Sequence, residues 1–195
     1  EDFYQSAVAF GEFQQQLTDF PADTLSETIP NFHNTVDRYR IFHEVLAADP
    51  MGRAKDVQAE IDFVLAREQE AGTLVRLLSE GKLPLRVTHN DTKLNNVLLN
   101  KDTGKALCVL DLDTVMPGSL LYDFGDAIRT GANAADEDEP DTAKVALDLN
   151  LFRAFCEGFL PHVQGVLTPA EQAALPLSAI IMTAEVGARF LTDYL

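Results

Sequence analysis

Three oxygen-bearing side chains, Asp91, Asn96 and Asp111, flank a predicted β-hairpin near the middle of this 195-residue chain. Asn96 stands at the start of the first strand, and Asp111 directly follows the second. Because the start of one antiparallel strand lies beside the end of its partner, we expect these two side chains to emerge together. Asp91 reaches the same end on the preceding loop. Carboxylate and amide oxygens suit Mg²⁺, which takes few protein ligands and leaves its other positions to water and phosphate.

The elements around this hairpin are predicted to be mostly helical. Its strands cover 96–99 and 105–110, joined by an Asn-Lys-Asp-Thr-Gly turn, and a further short strand covers 85–88. Apolar spacing and the Pro and Gly boundaries predict helices at 2–19, 32–48, 52–70, 72–80, 122–130, 143–160 and 169–193. A lone hairpin is only marginally stable in water, so it must pack against helices. The predicted fold class is α+β, predominantly α-helical.

Composition narrows the range of partners. The chain carries 31 Asp and Glu against 15 Lys and Arg, for a formal net charge of −16. Such a surface repels phosphate backbones, which argues against nucleic acid or an anionic membrane as the main partner. No uninterrupted apolar run approaches the roughly 18 residues of a membrane span. Cys108 and Cys156 show no metal-binding spacing, so we expect two buried thiols in a reducing compartment, the cytoplasm.

The central stretch resembles a known enzyme family. The strings His-Asn-Asp-Thr-Lys-Leu-Asn-Asn-Val-Leu-Leu at 89–99 and Val-Leu-Asp-Leu-Asp at 109–113 are similar to the aminoglycoside phosphotransferase and choline kinase superfamily. Within it, the N-acetylhexosamine 1-kinase type looks most similar, with weaker support from the strings at 32–35, 114–118 and 122–126. The resemblance covers essentially the whole chain. It implies the C-terminal lobe of a protein-kinase-like fold, with a small catalytic β-hairpin.

The resemblance also implies roles for individual residues. The D-x-x-x-x-N spacing from Asp91 to Asn96 matches the catalytic loop of kinases, in which the Asp accepts or orients the proton of the attacking hydroxyl. Asn96 and Asp111 would bind Mg²⁺, which bridges the phosphates of the co-substrate ATP. Lys93 would lie near the γ-phosphate and stabilise the charge that develops there. His89 would organise the loop and not act as a base.

A literal Asp-Phe-Gly at 123–125 offers a competing metal ligand. We assign the metal to Asp111 instead, because Asp123 follows a Pro-Gly turn and opens a helix, whereas Asp111 ends the hairpin. Asp123 and Asp126 are predicted to be helix N-terminal carboxylates that hold the loop. Arg129 is predicted to neutralise them, with a substrate contact as the alternative.

Several other residues have less specific expectations. The histidines His33, His43 and His162 are predicted to have surface or capping roles, and Asp113 is open between a substrate contact and a solvated carboxylate. The acidic run at 136–141 is predicted to be a solvated loop, with a lid over a cationic substrate as the alternative. The phenylalanines at positions 3, 10, 13 and 20 are predicted to form core.

The 195 residues contain no G-x-G-x-x-G and no G-x-x-x-x-G-K-[ST]. We therefore expect one domain over 1–195, with the N-terminal nucleotide-binding lobe absent and with little activity for the chain alone. The leading hypothesis is an ATP- and Mg²⁺-dependent kinase for a hydroxyl of a small molecule, with an amino sugar as the most specific suggestion. The alternatives are an aminoglycoside- or choline-type kinase with a cationic substrate, or a non-catalytic pseudokinase-like binding module.

Overall fold

The computed structural model describes residues 1–135 and 139–195 and shows a mainly helical α+β chain. The helices are α1 (Asp2–Gln16), α2 (Thr35–Ala48), α3 (Gln58–Leu65), α4 (Glu68–Ala71), α5 (Thr73–Ser79), α6 (Leu120–Gly131), α7 (Leu149–Val163) and α8 (Pro169–Tyr194). The strands are β1 (Arg86–Thr88), β2 (Val97–Leu99), β3 (Ala106–Val109) and β4 (Met116–Gly118). The predicted fold class is confirmed at this level.

The predicted hairpin forms from β2 and β3, which pair antiparallel. Its turn forms because the Asn100 side chain accepts the backbone N–H groups of Asp102 and Thr103, each over 2.9 Å, and Gly104 supplies a φ of +69°. The hairpin is packed against α1, as expected. Its strand residue Val97 lies buried in the same apolar cluster as the α1 phenylalanines.

A second two-stranded sheet was not predicted. Strand β1 pairs antiparallel with β4, so that Val87 lies opposite Pro117 and Thr88 opposite Met116. The sequence Met-Pro-Gly suggests a turn, but a proline is tolerated in a strand that has only one paired edge. This pairing fixes the entry to the central loop, because β1 leads directly into it.

The largest core cluster joins α1, α6 and α7. Three buried rings, Phe124, Phe155 and Phe159, have centroids 5.4–5.7 Å apart. Helices α1 and α7 approach closely at two glycines, because neither position has room for a Cβ. A Cβ added to Gly11 would lie 2.9 Å from the Phe159 carbonyl oxygen, and one added to Gly158 would lie 2.7 Å from the Tyr4 carbonyl oxygen. Two further clusters include the N-terminal and the C-terminal part of α8, respectively.

Several helix boundaries differ from the predictions. Helix α2 starts at Thr35 because the Asn34 side chain caps it, accepting Asp37 N–H over 3.1 Å. The predicted helix at 52–70 is instead a 3₁₀ turn, Ala54–Asp56, followed by α3 and α4. Helix α7 starts at Leu149, where Asp148 caps it, and continues through Pro161, which was predicted to be a boundary.

Three side chains that were predicted to be buried are exposed or only half-buried. Phe20 is 45% exposed, because the chain leaves α1 at Gln16 and the helical face that carries Phe3 and Phe10 ends there. Cys108 is exposed on the outer face of β3, and Cys156 is only half-buried. Leu107 and Cys108 are consecutive exposed residues of β3, because a two-stranded hairpin has few neighbouring elements to cover it, which sequence spacing alone does not reveal.

Helix α8 is long and apolar enough, by length and composition, to cross a membrane. It also carries Glu171 and Glu185, which are 0% and 4% exposed and form ion pairs with Arg86, on β1, and with Arg38, on α2. The Arg86 guanidinium donates to both Glu171 oxygens, over 2.7 and 2.9 Å. These contacts make α8 the central packing helix of the described chain. A helix in the core of a folded domain can be as long and as apolar as a membrane span.

Candidate functional site

The central loop turns sharply at Asn90, which has a left-handed φ of 65°. Asparagine tolerates this region better than most residues. The Asn90 side chain donates to the Thr114 carbonyl oxygen over 2.9 Å, and its backbone N–H donates to Asp123 Oδ1 over 2.8 Å. The turn is therefore held from two sides, by the segment after the hairpin and by α6.

The Asp123 carboxylate accepts hydrogen bonds from the backbone of the central loop. Its Oδ2 accepts the backbone N–H of His89 over 3.0 Å and the Gln14 amide over 2.6 Å, in addition to the bond from Asn90 to Oδ1. The side chain is fully buried. Burial raises the pKa of the Asp123 carboxyl above its ordinary value, and the N–H donors, which favour the ionised form, oppose that rise.

Asp126 holds the next part of the loop from the same helix. Its Oδ2 accepts the backbone N–H of Thr92 over 3.0 Å, and its Oδ1 pairs with Arg129 over 2.8 Å. Both carboxylates lie in the first two turns of α6, which Ser119 caps. The prediction that Asp123 and Asp126 hold the loop is confirmed, and so is the ion pair of Arg129 with Asp126.

Asp91 and Asn96 are in direct contact. The Asn96 amide donates to Asp91 Oδ2 over 3.0 Å and to the Asp91 carbonyl oxygen over 2.8 Å. The Lys93 ammonium lies 2.9 Å from Asp91 Oδ1. Both carboxylate oxygens therefore have a donor, and the Asp91 side chain is 22% exposed. The carboxylate is therefore fixed in direction and reachable from solvent.

His89 is fully buried and lies between the loop and the hairpin. Its Nε2–H donates to the Leu110 carbonyl oxygen over 2.8 Å, and its Nδ1 accepts the Asp91 N–H over 3.3 Å. A nitrogen that accepts carries no proton, so these bonds select the neutral Nε2–H tautomer. The rings of Phe10 and Phe13 lie nearly perpendicular to the His89 ring, with centroids 5.3 and 5.9 Å away. His89 thus organises the loop, as expected.

Asp111 follows β3 and comes directly after Leu110, the residue that bonds the end of the hairpin to the loop. The Leu110 N–H donates to the Asn96 carbonyl oxygen over 2.8 Å, so the chain next to Asp111 is tied to Asn96. Asp111 has a φ of 56°, is exposed, and its carboxylate makes no hydrogen bond or ion pair with residues 1–135 or 139–195. The metal-binding roles of Asn96 and Asp111 stay predictions.

A family model described as APH, the phosphotransferase enzyme family, matches residues 4–159. The chain belongs to this family. The match includes the loop, the hairpin and α6, which are the elements that position the site. Membership in the phosphotransferase family indicates a kinase-type phosphotransferase activity.

Enzymes of this kind generally use Mg²⁺ and ATP, and the donor set of this phosphotransferase fits a magnesium ion. Among the described residues, Asn96 Oδ1 accepts no hydrogen bond, since the amide nitrogen makes the contacts to Asp91. No group of three His, Cys, Asp or Glu side chains within the described ranges could hold a metal by itself. One amide oxygen and one carboxylate that have no partner in the described part of the chain match an ion that completes its coordination with phosphate and water.

A cavity of about 380 Å³ lies beside the loop. Three amide side chains line it, from Asn31, Asn34 and Asn90, and Tyr122 and Phe32 add aromatic surface. Glu27 is the only carboxylate among its described lining residues. The volume falls within the roughly 300–1,000 Å³ that ligand pockets commonly have.

His33 was predicted to lie at the surface or to cap a helix, and this prediction is wrong. Its side chain is 10% exposed and lies between Glu185, on α8, and the Asn90 carbonyl oxygen. Its partner Glu185 is 152 positions away in sequence, so no local pattern could reveal the contact. His43, by contrast, lies at the surface as predicted and pairs with Glu68 over 2.9 Å.

Two other predictions have partial outcomes. Asp113 is exposed, and within residues 1–135 and 139–195 its hydrogen bond is made by the backbone carbonyl, which accepts the Thr28 hydroxyl over 2.9 Å. In the acidic run, Glu139 and Asp141 pair with Lys144 over 3.3 and 3.9 Å. Residues 136–138 lie outside the described ranges.

Proposed function

We propose that this phosphotransferase moves the γ-phosphate of ATP, with Mg²⁺, to a hydroxyl of a small molecule, and that the acceptor is an amino sugar such as an N-acetylhexosamine. The observation that carries the proposal is the fixed Asp91 carboxylate, which Lys93 and Asn96 hold in a loop fastened to α6. A carboxylate held in one direction can orient a hydroxyl. Proteins catalyse phosphoryl transfer largely by positioning the reactants and stabilising charge.

In the proposed reaction, the acceptor oxygen attacks the γ-phosphorus and the bond from phosphorus to the β,γ-bridging oxygen breaks. The hydroxyl proton passes to Asp91, and ADP leaves. Lys93, which already lies within 2.9 Å of Asp91, is close enough to share its charge with the transferred group. Asn96 and Asp111 would hold Mg²⁺, which neutralises charge on the phosphate oxygens when bound.

The cavity beside Asn90 supports a neutral, hydroxyl-rich acceptor. A cationic acceptor, such as choline or an aminoglycoside, favours a wall rich in carboxylates, and the described wall has only Glu27. The amides of Asn34 and Asn90 are already bonded within the protein. The exposed Asn31 amide nitrogen donates to no described residue, so it is available to a hydroxyl or acetamido oxygen of an amino sugar. Aromatic surface from Tyr122 and Phe32 suits the apolar face of a sugar ring.

The proposal also keeps the expectation that a nucleotide-binding lobe outside these 195 residues covers the phosphates. The test therefore uses the full-length protein. Phosphate transfer is measured with ATP and Mg²⁺ over N-acetylhexosamines, aminoglycosides and choline. We expect turnover of an N-acetylhexosamine and at least about 100-fold slower turnover for Asp91→Asn, the scale of a lost general base.

The matched control is Asp102→Asn, which changes an exposed carboxylate in the hairpin turn and should leave turnover unchanged. Preferential turnover of choline or an aminoglycoside would overturn the acceptor class. Full activity of Asp91→Asn would overturn the role of the loop, and binding of ATP without transfer to any acceptor would favour a pseudokinase-like module.

A further inference from the structure

His33 contacts the peptide group that leads into Asp91. Its Nε2 lies 3.0 Å from the Asn90 carbonyl oxygen, and its Nδ1 lies 3.2 and 3.3 Å from the two Glu185 carboxylate oxygens. Among the described residues, no other donor reaches the Asn90 carbonyl oxygen. His33 therefore joins α8 to the central loop.

Both ring nitrogens of His33 face acceptors. A carbonyl oxygen can only accept, so Nε2 must carry a proton; an ionised carboxylate can only accept, so Nδ1 must carry one as well. The geometry thus describes an imidazolium. Burial by itself lowers the pKa of His33, but the bonds and charge of Glu185, the Asn90 carbonyl and Asp126 outweigh it, and the pKa is raised above its ordinary value of 6.5.

The charged surroundings of His33 come from several elements. Helix α8 contributes Glu185, and α2 contributes Arg38, whose guanidinium lies 3.6 Å from Glu185 and competes for it. Helix α6 contributes Asp126 and the ring of Tyr122, whose centroid lies 5.1 Å from that of His33. Glu27 lies on the wall of the same cavity. Asp126 is paired with Arg129 of the same helix over 2.8 Å, so Glu185 is the carboxylate that chiefly favours the charged ring.

The peptide between Asn90 and Asp91 is held at both of its polar atoms. His33 donates to its carbonyl oxygen, and the N–H of Asp91 donates to His89 Nδ1 over 3.3 Å. A peptide is planar, so fixing both atoms fixes the rotation of the whole unit. That rotation sets the direction in which the Asp91 side chain leaves the backbone, in a turn that already has the left-handed φ of Asn90.

We propose that His33 is a positioning residue, whose imidazolium, held by Glu185, fixes the Asn90–Asp91 peptide and thereby aims the Asp91 carboxylate. This inference rests on the proposed function only in taking Asp91 as the carboxylate that orients the acceptor. Loss of the His33 proton removes the donor to Glu185 and loosens the ring. Turnover should therefore fall as the pH rises through the His33 pKa.

The test uses the full-length protein and the variants His33→Ala, His33→Gln and Glu185→Gln, with His43→Gln as control, since His43 is an exposed histidine paired with Glu68. For His33→Ala we expect a fall in kcat of roughly 10- to 100-fold, as for a small misplacement of a reacting group, with a smaller change in the acceptor KM. His33→Gln should recover part of the loss, because its amide can still donate to the Asn90 carbonyl, and should lack the high-pH loss. Glu185→Gln should move that loss to lower pH. His43→Gln should behave as wild type.

Nitrogen-15 NMR of the His33 ring gives a readout that needs no turnover. Two protonated nitrogens in most molecules at pH 6.5, with a shifted Asp91 amide resonance in His33→Gln, would support the positioning role even if no acceptor is phosphorylated. A mainly neutral ring at pH 6.5 would overturn it. A raised acceptor KM with unchanged kcat would also overturn it, since that result describes a substrate contact. Thermal unfolding identifies any variant that fails to fold, and Glu185→Gln then serves as the deciding variant.

Discussion

Asp123 Oδ1 accepts the backbone N–H of Asn90 over 2.8 Å, from a position 33 residues further along the chain. The Asp of the Asp-Phe-Gly string thus supports the loop from behind and is fully buried, whereas Asp111 is exposed at the end of the hairpin. The two carboxylates have different roles in the structure, and their substitutions should separate those roles.

Asp123→Asn should destabilise the fold by roughly 1–3 kcal/mol, because an amide nitrogen cannot accept and would leave a buried N–H without a partner. Asp111→Asn should change stability by less than about 0.5 kcal/mol, as for an exposed side chain that bonds to none of the described residues. Instead it should raise the Mg²⁺ concentration needed for turnover. Urea unfolding and a Mg²⁺ titration of activity make the comparison; equal stability losses would contradict it.

Gly118→Ala should disturb the loop, because a Cβ at this position would collide with the Thr88 hydroxyl and lie 3.2 Å from Asn90 Oδ1. We expect a loss of roughly 1–3 kcal/mol, the usual cost of overpacking. The control is Gly187→Ala, which faces open space on α8 and should stabilise the chain by about 0.5–1 kcal/mol. Thermal unfolding measures both, and a neutral Gly118→Ala would show that β4 can shift away.

The stability of the fold should decline as the pH rises above neutral in a way that depends on His33. Its pKa in the folded chain is raised above 6.5, so its contribution is fully present below about 6.5 and is lost as the pH rises through the folded value. His33→Gln should remove this part of the slope. Urea unfolding from pH 6 to 9 checks it, and identical slopes for variant and wild type would contradict the ion pair with Glu185.

The two cysteines should react at different rates. Cys108 is exposed on β3, whereas Cys156 is half-buried on α7 and burial raises the pKa of its thiol. A thiol reagent should therefore modify Cys108 first and Cys156 only slowly, until denaturant exposes both. Cys108→Ser should remove the fast phase, and a single fast phase of two thiols in the native wild type would contradict the structure.

The sequence was sufficient where the determining interactions are local. The Asn100 turn follows from turn chemistry and the strands beside it from the short apolar runs that flank the turn, and the position of Asp123 in an opening helical turn distinguished it from Asp111. These signals lie within a few residues of the features they determine.

Sequence reasoning failed where distant segments decide the structure. Strand β4 contains Pro117 and has strand character only because β1 lies beside it. His33 has no sequence signal of its own, because its role depends on Glu185 at the other end of the chain. The break between α3 and α4 has no Gly or Pro to announce it; it lets Ala71 reach Thr35, whose hydroxyl donates to the Ala71 carbonyl oxygen over 2.8 Å.

The bonds that fix the central loop span most of the chain: Gln14 reaches Asp123 across 109 positions, and His33 reaches Glu185 across 152. Closing such long loops is slow compared with forming a helix or a hairpin. The first and last helices must therefore both have docked before Asp91 points in its final direction. Activity should appear as the last step of refolding, after most of the helical signal has returned.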